Sequence, residues 1–385
     1  MAKTRIETTR ERNAVVGNII AAMTERRGFL LLGHKNADED CIASMVAFAI
    51  LLNKFDKQVQ IYTDSAIPDN VGFLANICVY NSIRIINSKK RLGPNVDTII
   101  VCDTPKPSMM DVTPKIDTLL KSPDVLRIEV DHHLGADSGY IGDEGYRLVT
   151  EASSSSELVG ILALKLKCRK DILSRFLIAD PLSRNFVLAV ITGIIGDTNM
   201  GQYLKTRREI RYYKIFSGIY NDILMRTTVK ESNFTRMEDV FSELQKLSEQ
   251  EAKCYGYIIR KQQLAKSVAY IVLNRRDMSY LAKTYDKETI VNVTKSIANN
   301  LAEVSQKVGI ITFPEKTGKS YLVQFRMRRS HDFKSYDLRK ILEIFKIENG
   351  GGHEGAIGFR FPASEMKDPA GYTKKLIDRL EKELP

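Results

Sequence analysis

The chain has 385 residues, 43% hydrophobic and 27% charged, with a net charge of +11. That length exceeds one ordinary core, so two domains are expected, and that composition excludes a disordered or low-complexity chain. The charge is uneven: residues 1–200 hold 24 basic and 24 acidic side chains, so residues 201–385, with 34 against 23, carry the whole excess. A polyanionic substrate gripped by the basic half and an ordinary solvated surface account for this equally well.

In chain order, residues 11–26 place apolar side chains at helical spacing, and Phe29–Gly33 reads as a short buried strand ending at His34. Ile42–Leu52 reads as the following helix and is too short to span a bilayer. Gln58–Tyr62, Thr98–Cys102 and Leu126–Val130 read as further strands, the last two ending at Asp103 and Asp131. Ser154-x-x-Glu157 fits a capping box before LVGILALKL, and residues 185–196 form an apolar helix followed by Asp197. Residues 201–249 are charged and mostly helical in pattern. Beyond them, Ser267–Leu273, Tyr321–Arg326 and Ile357–Phe361 read as strands, with helices over 288–307, 336–346 and 370–383 and a glycine turn at Gly350–His353.

The expected architecture is α/β: an N-terminal parallel-sheet domain, residues 1–200, with helices on both faces, a helical linker over 201–249, and a smaller α+β domain over 250–385. The opening MAKTRIETTRER is charged and lacks the apolar core of a secretory signal. The five cysteines (41, 78, 102, 168 and 254) form no CxxC pair. Reduced thiols and a cytoplasmic protein with no membrane segment are therefore expected.

Three of the five histidines, His34, His132 and His133, lie where strands of the first domain end. Ligands of open α/β sheets sit beyond those carboxyl ends. His34, Asp38 and Asp40 share one turn, Asp103 ends a second strand, and Asp131 and His132 end a third. Carboxylates and imidazoles crowded at one sheet edge repel one another unless cations sit among them. Such a donor set, without thiolate, suits Mn²⁺, with Mg²⁺, Fe²⁺ or Co²⁺ as alternatives. Two ions about 3.5–4 Å apart polarise a phosphoryl oxygen and lower the pKa of a shared water. Taken singly, each Asp reads more readily as a helix cap and each His as a surface or packed residue; it is the set in this order that points to metal.

The chain resembles the DHH phosphoesterases that carry a C-terminal DHH-associated domain. The matching pieces are His34-Lys-Asn-Ala-Asp38-Glu-Asp40, Val101-Cys-Asp103, Val130-Asp131-His132-His133, Ala152–Glu157, Gly193–Thr198 and Gly350–His353. The resemblance implies a DHH metal-binding catalytic domain and a substrate-binding second domain. It implies one metal on His34, Asp38 and Asp103 and another on Asp40, Asp103, His132 and Asp197. It gives Asp131 the task of fixing the imidazoles and His133 a contact to the substrate phosphate as donor or general acid. In the second domain it assigns phosphate binding to Arg326, Gly350, Gly351, Gly352 and His353, with Arg328 and Arg329 as helpers. The sequence departs from the family pattern at Ala37, Glu39, Ala43 and Met327. These changes bear on substrate choice and loop geometry.

Members of that family trim short RNAs, hydrolyse cyclic or linear dinucleotides such as cyclic di-AMP and pApA, or act on 3′-phosphoadenosine 5′-phosphate, on long single-stranded DNA, or on pyrophosphate and polyphosphate. A two-domain chain of this length resembles the first three most. The expected activity is a Mn²⁺-dependent phosphodiesterase, with two ions per site, that converts nanoRNA or dinucleotides to nucleoside monophosphates. A 3′-phosphoadenosine 5′-phosphate phosphatase, a pyrophosphatase or polyphosphatase, and a non-catalytic nucleotide sensor are the alternatives. A homodimer is compatible with the resemblance.

Overall fold

The computed structural model describes residues 2–384 except 65, 111, 136, 227–233, 235–236, 318–319 and 331. It divides into two units, Met1–Lys246 and Leu247–Pro385.

The first unit is built on six parallel strands: β1 (Gly28–Leu32), β2 (Gln58–Tyr62), β3 (Arg84–Ile86), β4 (Thr98–Cys102), β5 (Leu126–Asp131) and β6 (Arg147–Val149). Their order is β3-β2-β1-β4-β5-β6, so the winding reverses between β1 and β4. Its helices are α1 (Thr9–Glu25), α2 (Glu39–Lys54), α3 (Gly72–Tyr80), α4 (Pro114–Lys121), α5 (Ser155–Lys167), α6 (Lys170–Arg175), α7 (Arg184–Thr198), α8 (Arg207–Arg226) and α9 (Met237–Leu244).

The central strands are apolar on both faces, as a parallel sheet covered on both sides must be. In β1, Phe29 and Leu31 join one core with α1, α2, α5 and α7, whereas Leu30 and Leu32 join another with Ile99, Val101 and Ile116 of α4. The helices of residues 207–244, expected within a linker, belong to the first unit: Phe216, Tyr220, Val240 and Leu244 are buried in its larger core. Their apolar faces are therefore packed rather than connecting, and the division of the chain falls after residue 246. Asp197 also differs from expectation, lying inside the last turn of α7 rather than after it.

The second unit holds α10 (Glu249–Ile259), α11 (Arg275–Thr284), α12 (Lys287–Ser305), α13 (Arg339–Ile344) and α14 (Pro369–Glu383). Its strands are β7 (Gln263–Leu264), β8 (Val268–Val272), β9 (Val308–Thr317), β10 (Ser320–Arg329), β11 (Gly350–His353) and β12 (Ala356–Pro362), ordered β11-β12-β10-β9-β8-β7. Only β8 and β9 pair in parallel among the described strands of this sheet. One face packs on α10, α11 and α12, the other on α13 and α14. Gly350–His353, expected as a turn, is an edge strand paired with β12; the reversal falls at Glu354–Gly355. No helix among the described residues is long and apolar enough to cross a membrane.

Candidate metal centre

The carboxyl ends of β1, β4 and β5 bring the predicted residues of the first unit together. Asp103 follows β4 with φ of +48°, a left-handed conformation that Asp tolerates better than most residues. Its amide donates to Val130 O at 3.0 Å, which ties the bend to β5. The two oxygens of its buried carboxylate face different imidazoles: Oδ2 lies 3.6 Å from His34 Nε2, and Oδ1 lies 3.3 Å from His132 Nε2.

Both imidazoles are held the same way. His34 Nδ1–H donates to Lys35 O at 2.9 Å and His132 Nδ1–H to Ala152 O at 3.3 Å. In these tautomers each Nε2 carries a lone pair aimed at carboxylate oxygen. His34 Nε2 also lies 3.6 Å from Asp38 Oδ1, and His132 Nε2 lies 3.3 Å from Asp197 Oδ2. Lone pairs meeting at these distances need a proton or a cation between them.

Asp38 has two roles. It caps α2 by accepting from Cys41 N at 3.2 Å, and it faces His34. Asp40, fully buried at the second position of α2, accepts from Ser155 N at 2.6 Å and Ser156 N at 3.0 Å. The serine-rich segment thus presents the free amides of the first turn of α5 to a carboxylate. Ser155 Oγ donates to Asp103 Oδ1 at 3.0 Å. Ser154 caps α5 as expected, but Glu157 accepts from Ser153 N and Oγ and pairs with Arg208 at 3.2 Å instead of completing a capping box.

The electrostatics show a shortage of positive charge. Burial, reinforced by Asp103, pushes the Asp40 carboxyl up to about 7. Burial and then Asp40 push Asp197 well above the carboxylate range. Asp103 is held well below that range, because hydrogen bonds from His132 and His34 outweigh its burial. His132 is raised well above the usual imidazole value, since Asp103 and Asp197 overcome the opposing effect of burial. His34 is raised likewise against its burial, with hydrogen bonds to the carboxylates of Asp103 and Asp38 among the causes. Without cations, protons occupy the places that cations would fill. The donors fit divalent ions, grouping among the described residues as Asp40, His132 and Asp197, as Asp103, His132 and His133, and as His34, Cys41 and Asp103.

Sequence reasoning missed Cys41, whose sulfur lies within 4.8 Å of the His34 and Asp103 ligand atoms. Burial pushes this thiol up to about 11, so near neutral pH it is an uncharged neighbour. It also missed Lys3, treated below. Neither residue belongs to a local pattern that marks it.

Asp131 is fully buried and accepts from His133 N at 3.1 Å and His133 Nδ1 at 2.8 Å through the same Oδ1. These contacts lower its pKa in spite of burial. His133, with 39% of its side chain exposed against 17% for His132 and 11% for His34, is the outermost imidazole. Glu39 is turned toward Asn70, whose Nδ2 donates to its Oε1 at 3.0 Å.

The second unit groups Arg326, Arg328, Gly351, Gly352 and His353 around one open depression. Arg326, Gly358 and Gly351 lie opposite one another across β10, β12 and β11. A Cβ on Gly351 would meet nothing within 4 Å, and one on Gly358 only Phe325 O at 3.7 Å, so the two glycines leave a trough beside Arg326. Burial, then Arg328, lowers Arg326 to about 10, and its Nε lacks a hydrogen-bond partner. Gly352 has φ of +136°, and a Cβ there would lie 2.1 Å from Ala356 O. Gly350 lines the neighbouring stretch of β11, against Phe359 and Leu342. Arg329, expected as a helper, is instead buried; it donates to Tyr336 O at 2.7 Å and lies 3.6 Å from Glu354. Met327 alternates inward and is fully buried in the core with Phe325 and Ile357.

Residues 29–194 match the model of the DHH family, N-terminal domain, so this stretch of the chain is a DHH domain of the metal-dependent phosphoesterase type. Among solved structures, an exopolyphosphatase-related protein from Bacteroides fragilis is similar at 19% identity and a TM-score of 0.61, over 97% of this chain and 98% of that one. A pGpG-specific phosphodiesterase, PggH, from Vibrio cholerae aligns at 13% identity and a TM-score of 0.35, over 92% and 99%. RecJ in complex with Mn²⁺ from Thermus thermophilus aligns at 11% identity and a TM-score of 0.44, over 92% and 52%. No functionally curated protein matches the chain.

Proposed function

We propose that the protein is a Mn²⁺-dependent phosphodiesterase that releases nucleoside monophosphates from short RNA or from cyclic and linear dinucleotides. The observation that carries this reading is Asp103, whose two oxygens face His34 on one side and His132 on the other. In this reading His34, Asp38 and Asp103 hold one ion, and Asp40, Asp103, His132 and Asp197 hold the second. When bound, the ions supply positive charge for the phosphoryl oxygens and acidify a water that attacks phosphorus. His34 and His132 keep their tautomers through backbone carbonyls and so present Nε2 as ligands. Ser155 and Ser156 hold Asp40 in place through their amides. His133, outermost and with its Nδ1–H oriented by Asp131, donates a hydrogen bond to a phosphate oxygen or protonates the departing oxygen when Nε2 also carries a proton. In the second unit, the trough beside Arg326 accommodates a further phosphate, which favours substrates with more than one.

The test is turnover by the Mn²⁺-loaded protein of pApA, cyclic di-AMP, RNAs of two to five residues, 3′-phosphoadenosine 5′-phosphate and pyrophosphate. Release of AMP from pApA or short RNA is the expected result. Phosphate release from pyrophosphate alone would replace the proposal with a pyrophosphatase. Binding of cyclic di-AMP without any product would replace it with a sensor.

A further inference from the structure

Lys3 lies on the segment before α1, far in sequence from every motif, yet it is 1% exposed. Its backbone bridges Gly135, its amide donates to Ser138 Oγ at 3.0 Å, and Ile6 N farther along donates to Val149 O at 3.3 Å. The segment is thus strapped across the ends of β5 and β6. The ammonium donates to Thr104 O at 2.6 Å and to Asp131 Oδ2, and lies 2.7 Å from Glu129 Oε1. The side chains of Lys3, Glu129 and Asp131 are all fully shielded from solvent. Glu129 Oε2 is occupied separately by the amides of Ile141 and Gly142, at 3.1 and 3.0 Å. One buried cation therefore serves two buried carboxylates, and removing it would leave both poorly compensated.

The division of Asp131 is the informative part. Oδ2 is taken by Lys3 and Oδ1 receives both His133 N and His133 Nδ1. An ammonium clamping one oxygen fixes the rotation of the carboxylate and aims the other. We propose that Lys3 is a positioning residue: by pinning Asp131 it holds His133 in the Nδ1–H tautomer, with Nε2 directed outward. The consequence for turnover rests on the role given to His133 above; the consequence for the tautomer does not.

The test pairs Lys3→Met with Glu129→Gln, so that the cation and one carboxylate are removed together and the charge balance is restored. Two readouts are taken: the long-range ¹⁵N spectrum of the histidines in Mg²⁺-loaded protein, with His133 assigned through His133→Gln, and steady-state pApA hydrolysis with Mn²⁺. The expected result for the folded pair variant is a mixture of His133 tautomers. Its kcat should fall about tenfold to a hundredfold, with KM and metal content within a factor of two. A wild-type tautomer and kcat in that variant would overturn the proposal, reducing Lys3 to a counter-ion for Glu129. Should the pair variant not fold, Lys3→Arg keeps the charge, displaces the nitrogen from Asp131, and is judged by the same readouts. A tautomer that responds to Lys3 in a protein that leaves pApA intact would support the positioning role and overturn the substrate reading.

Discussion

Asp103 concentrates the chemistry of the first unit in one residue. Its backbone is left-handed, its side chain is buried, and its two oxygens point to different histidines. Asp103→Ala would add backbone strain of about 1 kcal/mol to the loss of charge. Asp103→Asn tolerates the left-handed backbone and removes only the charge. Asp103→Asn should therefore keep its circular dichroism while losing turnover by at least about a thousandfold; retained activity would refute the shared-ligand assignment. Asp40 supplies a second prediction. Its carboxyl rises from 3.8 to about 7, so the folded metal-free protein keeps a proton that the unfolded chain releases. The resulting stabilisation is complete below about pH 4 and is lost as pH rises toward 7. Mn²⁺ competes with that proton. The rise in melting temperature on adding Mn²⁺ should therefore be larger at pH 8 than at pH 5.5, and equal shifts would remove Asp40 from the ligand set.

At the scale of elements, the site depends on close approach between helices. A Cβ on Gly193 of α7 would lie 2.0 Å from Ser156 Oγ and 2.4 Å from Asp40 Oδ1. Gly193→Ala should then cost about 1–3 kcal/mol and weaken Mn²⁺ binding, read by calorimetry. Gly17→Ala in α1, where a Cβ meets nothing within 4 Å, should instead stabilise by about 0.5–1 kcal/mol and leave the metal alone. β3 and β6, three residues each, were too short to read; β1 and β4 were legible because each is a short apolar run ending at a polar residue, and β2 and β5 because their residues alternate. The end of α7 was less so: its apolar pattern stops before Asp197, although the helix runs on to Thr198. β9 was missed because Val308–Thr317 includes Pro314 and charged residues at its far end, which obscure a strand that is buried along most of its length. The two functions of Asp38 show why a cap and a ligand cannot be told apart by spacing alone: the same carboxylate does both.

At the scale of the whole molecule, the carboxylate and imidazole groups lie in one unit and the arginine–glycine trough in the other. The metal-site motifs were legible because their residues follow strands whose order in the sheet places their ends side by side. Lys3 was not, because a residue brought in by a long-range strap leaves no periodic signal. Gly358 was equally hidden: its importance comes from cross-strand register, which sets it opposite Arg326 and Gly351. This register permits a test of the division of labour that spares the metal site. Gly358→Val adds a branched side chain that suits a strand and meets little in the fold, so the protein should remain folded. The side chain would occupy the trough beside Arg326. KM for pApA should rise about tenfold or more with metal content unchanged, as loss of substrate binding requires. His353→Ala should act in the same direction. If either variant lost its metal while KM stayed constant, the assignment of phosphate binding to the second unit would fail. If both raised KM for pApA but left turnover of pyrophosphate untouched, the trough would be a determinant of nucleotide length, held apart in the chain from the groups that cleave the bond.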